Sequence, residues 1–265
     1  MRIPKGLTVF LLGLYFAHKV AGAGTLTDMR AKNSLSVCAH PDALPYSSNL
    51  PETPGFYIDV ASLLAKNLDI PLEVNWVYTR ANARLTDCDL YPGIAVLEDA
   101  RQRASNGPVP PVLLSEPYMT QHLTLISRRP EAEVATLGGL RALQVAVPSG
   151  SWAHVQLVKA GIPVLVRFHD DQEIIGAVMN GLADAGIVSE AGLGWYQHNH
   201  PEARLTATEA PIAKFHLDFD IGVGLRQSDY SSLDSLNAVL VRMREDGTIK
   251  AILERYGIFY HPPVR

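Results

Sequence analysis

The stretch Val37-Cys-Ala-His-Pro-Asp-Ala-Leu-Pro-Tyr-Ser-Ser48, followed by Gly55-Phe-Tyr-Ile-Asp-Val-Ala-Ser-Leu-Leu-Ala-Lys-Asn-Leu68, constrains the fold more than any other part of the chain. A short apolar run, Leu35 to Ala39, leads into a loop broken by Pro41 and Pro45. Gly55 then opens a segment whose apolar residues Phe56, Val60, Leu63, Leu64 and Leu68 fall mostly at helical spacing. A strand, a proline-stiffened loop and a covering helix make half of a βαβ unit. In open α/β sheets such loops line the crevice outside the strand ends, where ligands bind. This one offers Tyr46, Ser47 and Ser48, a flat apolar face beside two hydroxyls. Taken alone, most loops of this kind are ordinary surface turns.

The alternation continues along the chain. Ile70 to Val77 alternates as a second strand, and Cys88 to Ile94 forms a third that ends at Pro92-Gly93. Helix-compatible residues (Glu98 to Arg103) and a stiff loop, Asn106 to Pro111, precede an apolar strand at His122 to Ser127. A second block begins near Leu137. Its strands are expected at Gln144–Pro148, Val164–Phe168 and Ala185–Val188, with helices starting at Ser149-Gly-Ser-Trp-Ala and at Asp171. Asp218 to Leu225 is a further strand, and Ser232 to Arg255 reads as two helices broken at Asp246-Gly247. The expected fold class is α/β: two βα blocks joined by two extended segments, His122–Ser127 and Asp218–Leu225.

Residues 1–23 have the form of a secretory signal peptide. Arg2 and Lys5 precede an apolar run from Leu7 to Ala17, and Ala21-Gly22-Ala23 is an A-x-A cleavage site. The run is shorter than the ~20 residues that cross a bilayer. Cleavage removes three basic residues and no acid, so 23 basic against 27 acidic becomes 20 against 27, a net charge of −7. That balance excludes nucleic acid and anionic membranes as expected partners. In an oxidising compartment Cys38 and Cys88 are candidates for a disulfide. Two buried thiols are the alternative, because parallel neighbouring strands place the sulfurs at different heights and a bridge tolerates Cα separations only up to ~7 Å.

The order of these signals resembles the type II periplasmic solute-binding proteins, family 3. The pieces are Gly55-Phe-Tyr-Ile-Asp-Val-Ala (pattern GFDxDxA), Ser115-Glu-Pro-Tyr118 (FSxPY), Val147-Pro-Ser-Gly-Ser151 (VxxGS), Gly181-Leu-Ala-Asp-Ala185 (GxxDA) and the closing Glu245-Asp-Gly-Thr-Ile-Lys…Arg255-Tyr-Gly257. The resemblance implies two α/β lobes hinged by two crossing strands, with ligand buried in the cleft by closure. Lobe 1 would be residues 24–123 and 224–265, and lobe 2 residues 124–223. A narrower resemblance, in Val37-Cys-Ala-His-Pro-Asp and Cys88-Asp89, is to the solute-binding-like proteins that accompany periplasmic quinoprotein (PQQ) alcohol dehydrogenases, although His40 stands where that group usually has an acid.

The resemblance implies roles for particular residues. An arginine before the FSxPY segment pairs with ligand carboxylates, which points to Arg101 or, given the inserted Asn106–Pro111, Arg103. Ser149, Gly150 and Ser151 lie at a strand-to-helix turn whose amides suit an anionic group, or form a plain serine N-cap. Ser189 stands where amino-acid binders carry an aspartate for the ligand's ammonium. Glu190 is the adjacent substitute, on the opposite face if the strand continues. A buried charge left unpaired costs roughly 3–5 kcal/mol, so a standard amino acid is disfavoured on this sequence. Ala43 replaces a stacking aromatic; Tyr46, Tyr91 and Trp152 are candidates to floor the cleft, and Asp170-Asp171 begins a helix. His198-Asn-His200 and His216-Leu-Asp-Phe-Asp220 have metal-compatible spacing but lie in loop sequence, and no metal is expected there.

The expected ligand set is therefore Tyr46, Ser47, Gly93, Arg101, Ser149, Gly150, Ser151, Ser189 and Glu190. The chain reads as an exported monomer, without cofactor, that captures a small polar or anionic molecule for an ABC transporter. The alternative is an accessory of a quinoprotein dehydrogenase. Periplasmic cyclohexadienyl dehydratases are similar in fold but need a second-lobe carboxylate near Ser189; Ala191, Gly192 and Leu193 are not acidic, so no enzyme is expected.

Overall fold

The computed structural model describes residues 24–96, 112–129, 134, 136–209 and 218–264. Helix α1 (Leu26–Lys32) starts on a capping box between Thr25 and Asp28. Strand β1 (Leu35–Ala39) is buried at every position, as a parallel strand covered on both faces is. The loop after it forms a small hairpin of β2 (Asp42–Ala43) and β3 (Ser47–Ser48).

Helix α2 (Phe56–Leu68) then covers the sheet, burying Phe56, Val60, Leu64 and Leu68, with Leu63 at the edge of the same cluster. Each such side chain contributes ~1.5–3 kcal/mol when fully buried. The helix begins where it does because Gly55 holds φ at 88°. A Cβ there would lie 2.5 Å from the Tyr46 carbonyl oxygen and the Ser47 nitrogen, so only glycine fits. Strand β4 (Leu72–Trp76), helix α3 (Arg80–Leu85) and strand β5 (Leu90–Val96) complete this part, with β4 and β5 parallel to β1 on either side.

Cys38 and Cys88 are joined by a disulfide with Cα atoms 5.6 Å apart. Cys88 was expected inside the third strand, but β5 begins only at Leu90, and the bend before it lets the chain turn toward β1. Asp89 reinforces this clamp. Its buried carboxylate accepts hydrogen bonds from the Ser36 amide and hydroxyl and from Lys32.

Two long strands join the halves of the molecule. Strand β6 (Val112–Leu114) leads to β7 (Met119–Ser127), which starts three residues before the expected His122. The second block supplies α4 (Leu137–Arg141), β8 (Val145–Pro148), α5 (Trp152–Lys159), β9 (Val164–Phe168), α6 (Asp171–Met179), β10 (Ala185–Ser189), α7 (Glu190–Asn199) and β11 (Thr206–Glu209). Strand β12 (Asp218–Arg226) returns across the junction. The first residues of β7, Met119–His122, pair with Asp218–Ile221 of β12, and its remainder pairs with β10 and β11. Further along, β12 pairs with β5 and β6. The strand order is thus β4-β1-β5-β12-β7-β10-β8-β9.

Helices α8 (Tyr230–Glu245) and α9 (Thr248–Glu254) break at Gly247, which has φ of 80°. The tail that follows lies along the crossing strands: the Thr120 amide donates to the His261 carbonyl at 2.9 Å, and the Val264 amide to Asp220 at 3.2 Å. Packing divides in the same way. One cluster is built on Phe56, Leu90, Tyr118, Val223 and Leu240, and two smaller ones on Leu157 with Ile187 and on Ile174 with Val178. Among the described residues no helix is long and apolar enough to cross a membrane.

Candidate functional site

Tyr46 lies between β2 and β3 in the loop that joins β1 to α2, and its ring packs on Phe56 and Tyr57 at centroid distances of 5.4 and 5.3 Å. This packing holds the phenol so that its hydroxyl leaves the first block and meets the second. Tyr46 Oη lies 2.6 Å from Ser189 Oγ, and Gln121 of β7 donates to Tyr46 Oη at 2.8 Å. Ser189 is the last residue of β10 and the N-cap of α7, accepting from the Gly192 amide at 2.8 Å. Its own proton goes to the Asp171 carboxylate in a short hydrogen bond.

The valences then settle the direction of the chain. Ser189 Oγ has one proton, given to Asp171, so Tyr46 donates to Ser189 and its oxygen accepts from Gln121. Donors from the first block, the crossing strand and the second block all run toward one carboxylate. Burial pushes the Asp171 carboxyl up to about 6, while hydrogen bonds from Ser189 pull the other way. Burial likewise raises the Tyr46 hydroxyl well above its usual value, and the Asp171 charge adds to this. Among the described residues, no lysine or arginine forms a salt bridge with Asp171.

Sequence spacing hid Asp171. Of the two adjacent acids, only Asp170 caps α6, accepting from the Glu173 amide at 2.8 Å. That frees Asp171 to turn toward Ser189 and Gly192, and a Cβ on Gly192 would sit 2.4 Å from its Oδ2. A pair of acids where one cap is enough was the available signal. A carboxylate from the start of the neighbouring helix thus lies beside Ser189.

The remaining candidates divide. Glu190 is not part of this network: Ser189 ends the strand by capping α7, and the Glu190 carboxylate meets His261 at 2.8 Å. Ser47 is buried and donates to the His40 carbonyl, so its hydroxyl closes the loop. Gly93 gives the Tyr57 ring room, since a Cβ there would lie 2.1 Å from it. Ser149 and Gly150 lie on an exposed turn, Ser151 caps α5 through the His154 amide, and the Gly150 amide is taken by the His154 ring at 3.0 Å. Tyr91 donates to the Ala83 carbonyl, and Trp152 is 52% exposed. Arg101, Arg103, the Asn106–Pro111 loop and His216 lie outside the described residues. Asp218 and Asp220 are engaged by His122 and Thr120, and His198 and His200 by Trp195 and Tyr196.

The sequence of residues 35–259 is matched by the family model for bacterial extracellular solute-binding proteins, family 3. The chain belongs to this family. A curated relative, the glutamate-binding protein GluB of Corynebacterium glutamicum, is 29% identical over 142 residues, 52% of this chain and 47% of that protein. The match thus spans about half of that relative's length. Among solved structures, the ancestral cationic amino acid solute-binding protein AncCDT-1 superposes with a TM-score of 0.68 at 22% identity, covering 88% of this chain and 99% of that one. A second structure of AncCDT-1, a precursor of cyclohexadienyl dehydratase, superposes with a TM-score of 0.67 at 21% identity, covering 88% of this chain and 99% of that one. The solute receptor for L-cysteine of Neisseria gonorrhoeae superposes with a TM-score of 0.63 at 20% identity, covering 88% and 93%. The structural likenesses establish the two-lobe fold of this family 3 protein. The relation to glutamate binding and to amino acids is a property of those proteins.

Proposed function

We propose that this family 3 solute-binding protein captures a small polar solute of amino-acid size between its lobes and presents it to a membrane transporter of the ABC class. The solute's amino group sits against Asp171, Ser189 and Tyr46, and its anionic group is held by Arg101. The observation that carries this is Asp171, a half-buried carboxylate at the junction that accepts from Ser189, which in turn accepts from Tyr46. A cationic ligand group would supply the compensation that burial otherwise withholds. The substitution at Ser189 argues against an amine in the sequence; the Asp171 carboxylate beside it supports one.

The test combines native mass spectrometry of protein purified from its own cell envelope with titration of amino acids and simple carboxylates. Asp171→Asn and Arg101→Ala should each weaken an identified amine-bearing acid by ~30-fold or more, as truncating one partner of a closed charge pair costs roughly 2–5 kcal/mol. Undiminished affinity in Asp171→Asn would remove the amine from this position. If no solute binds while a quinoprotein dehydrogenase co-purifies, the accessory role replaces capture.

A second reading draws on the same group. A carboxyl near 6 is close to the working range of a general acid, which is the carboxylate the dehydratase comparison lacked. Release of an aromatic product from a cyclohexadienyl substrate, abolished in Asp171→Asn, would establish it; absence of turnover leaves binding as the function.

A further inference from the structure

His122, Glu190 and His261 bring two imidazoles and a carboxylate together, with one ligand atom from each lying within 4.8 Å of the others. They come from three distant parts of the sequence: the crossing strand β7, the start of α7 and the tail after α9. All three are half-buried. Glu190 Oε2 is already 2.8 Å from His261 Nε2, and the rings of His122 and His261 meet edge-on at 4.2 Å. The tail is pinned here by its backbone, through Thr120 to His261 and Pro262.

We propose that this cluster is a binding site for a zinc-class divalent transition ion at the hinge. The donor set, two histidine nitrogens and one carboxylate oxygen with a fourth position open to water, is one that such ions take. Zinc bonds of ~2.0 Å place tetrahedral ligand atoms roughly 3.3 Å apart, so a modest contraction of the cluster completes the shell. A second, independent feature has the form of a metal centre's outer support. His122 Nδ1 lies 2.8 Å from Asp218 Oδ1, its partner across the β7–β12 pairing, which fixes the ring and leaves Nε2 to coordinate. The ion would tie the crossing strand, α7 and the tail together one residue from Ser189. Metal occupancy then favours the arrangement in which Ser189 meets Tyr46.

The site is independent of which solute is captured, so its test uses zinc alone. Tag-free protein stripped with a chelator is titrated with Zn2+ by calorimetry, and its thermal midpoint is followed with and without the ion. One zinc per chain is expected, with a rise in midpoint that disappears in His261→Ala and His122→Ala. Asp218→Asn should keep the site but weaken it 10–100-fold. His169→Ala, at an exposed histidine paired with Glu173, should behave as wild type. Co2+ in place of zinc should give ligand-field absorption in wild type and lose it in His261→Ala. Midpoints measured without metal show which variants fold, and His261→Ala, on the tail, keeps the test available if His122→Ala does not. Failure of wild type to bind zinc saturably, or a stoichiometric site that survives His261→Ala, would overturn the proposal.

Discussion

Tyr46 Oη, carried by the first lobe, lies 2.6 Å from Ser189 Oγ at the end of β10 in the second. The pair closes the junction with the protein's own groups, and it does so beside the carboxylate proposed to hold the solute. On that proposal, capture exchanges one set of hydrogen bonds for another. A solute's amino group arriving at Asp171 competes with the Ser189 proton, while the Tyr46 ring, fixed by Phe56 and Tyr57, stays as a wall.

Tyr46→Phe keeps the ring packing and deletes only the bridge. Gln121, which is buried, then loses its acceptor, and an unsatisfied buried donor costs roughly 1–3 kcal/mol. Solute-free protein should unfold at lower temperature and shift toward an open arrangement. Small-angle scattering of the solute-free variant should show a larger radius of gyration than wild type; identical profiles would mean that the bridge does not hold the lobes.

Gly55→Ala should be more damaging than its size implies. The residue has φ of 88°, and the added Cβ would strike the backbone of Tyr46 and Ser47 at 2.5 to 2.6 Å. Holding a non-glycine residue in such a conformation costs of the order of 1–3 kcal/mol before any clash. A lower denaturation midpoint together with weakened solute binding is expected, because the displaced backbone carries Tyr46. Loss of stability with full binding would show that Tyr46 is positioned by other contacts.

Much of this architecture could be read along the chain because its signals are local. The apolar face of α2, the break at Asp246-Gly247 and the two apolar crossing strands each depend on residues that are close in sequence. The site was only half legible. Tyr46 and Ser189 stood out by their places at a loop and a strand end, but Asp171 is separated from Ser189 by eighteen residues and looks like part of a helix cap. Glu190 is the nearest acid in sequence to the end of this strand, but the Ser189 cap starts a helix there and its carboxylate meets His261. The His122–Glu190–His261 cluster unites segments with no pattern in common, so only the folded chain brings it together.

Removing the disulfide by Cys38→Ser or Cys88→Ser releases a loop of 50 residues. Closing a loop of that size stabilises a domain by typically 2–4 kcal/mol. For a chain of this length that is a fall of roughly 5–15 °C in the denaturation midpoint. Asp89, just before β5, still holds Ser36 of β1 and Lys32 of α1, so the variants should fold. Scanning calorimetry with and without reductant checks this: reductant should lower the wild-type midpoint and leave the serine variants unchanged.

Asp171 gives a pH signature that separates its charge from its shape. Its carboxyl is raised from the usual 3.8 to about 6, chiefly by burial. In the window between those values the folded chain holds a proton that the unfolded chain has released. The contribution of this group to stability is therefore full below about 3.8 and is lost as pH rises through about 6. Solute-free wild type should lose stability across that window relative to Asp171→Asn, in which the charge never forms. Binding runs the opposite way: an ammonium group needs the ionised carboxylate, so affinity for an amine-bearing solute should climb through the same window and level off above it. In Asp171→Asn the affinity should be low and flat with pH. A wild-type affinity that is equally flat, for a solute shown to lie in the cleft, would mean that Asp171 faces no cation, and that the acid near pH 6 serves the junction or proton transfer instead.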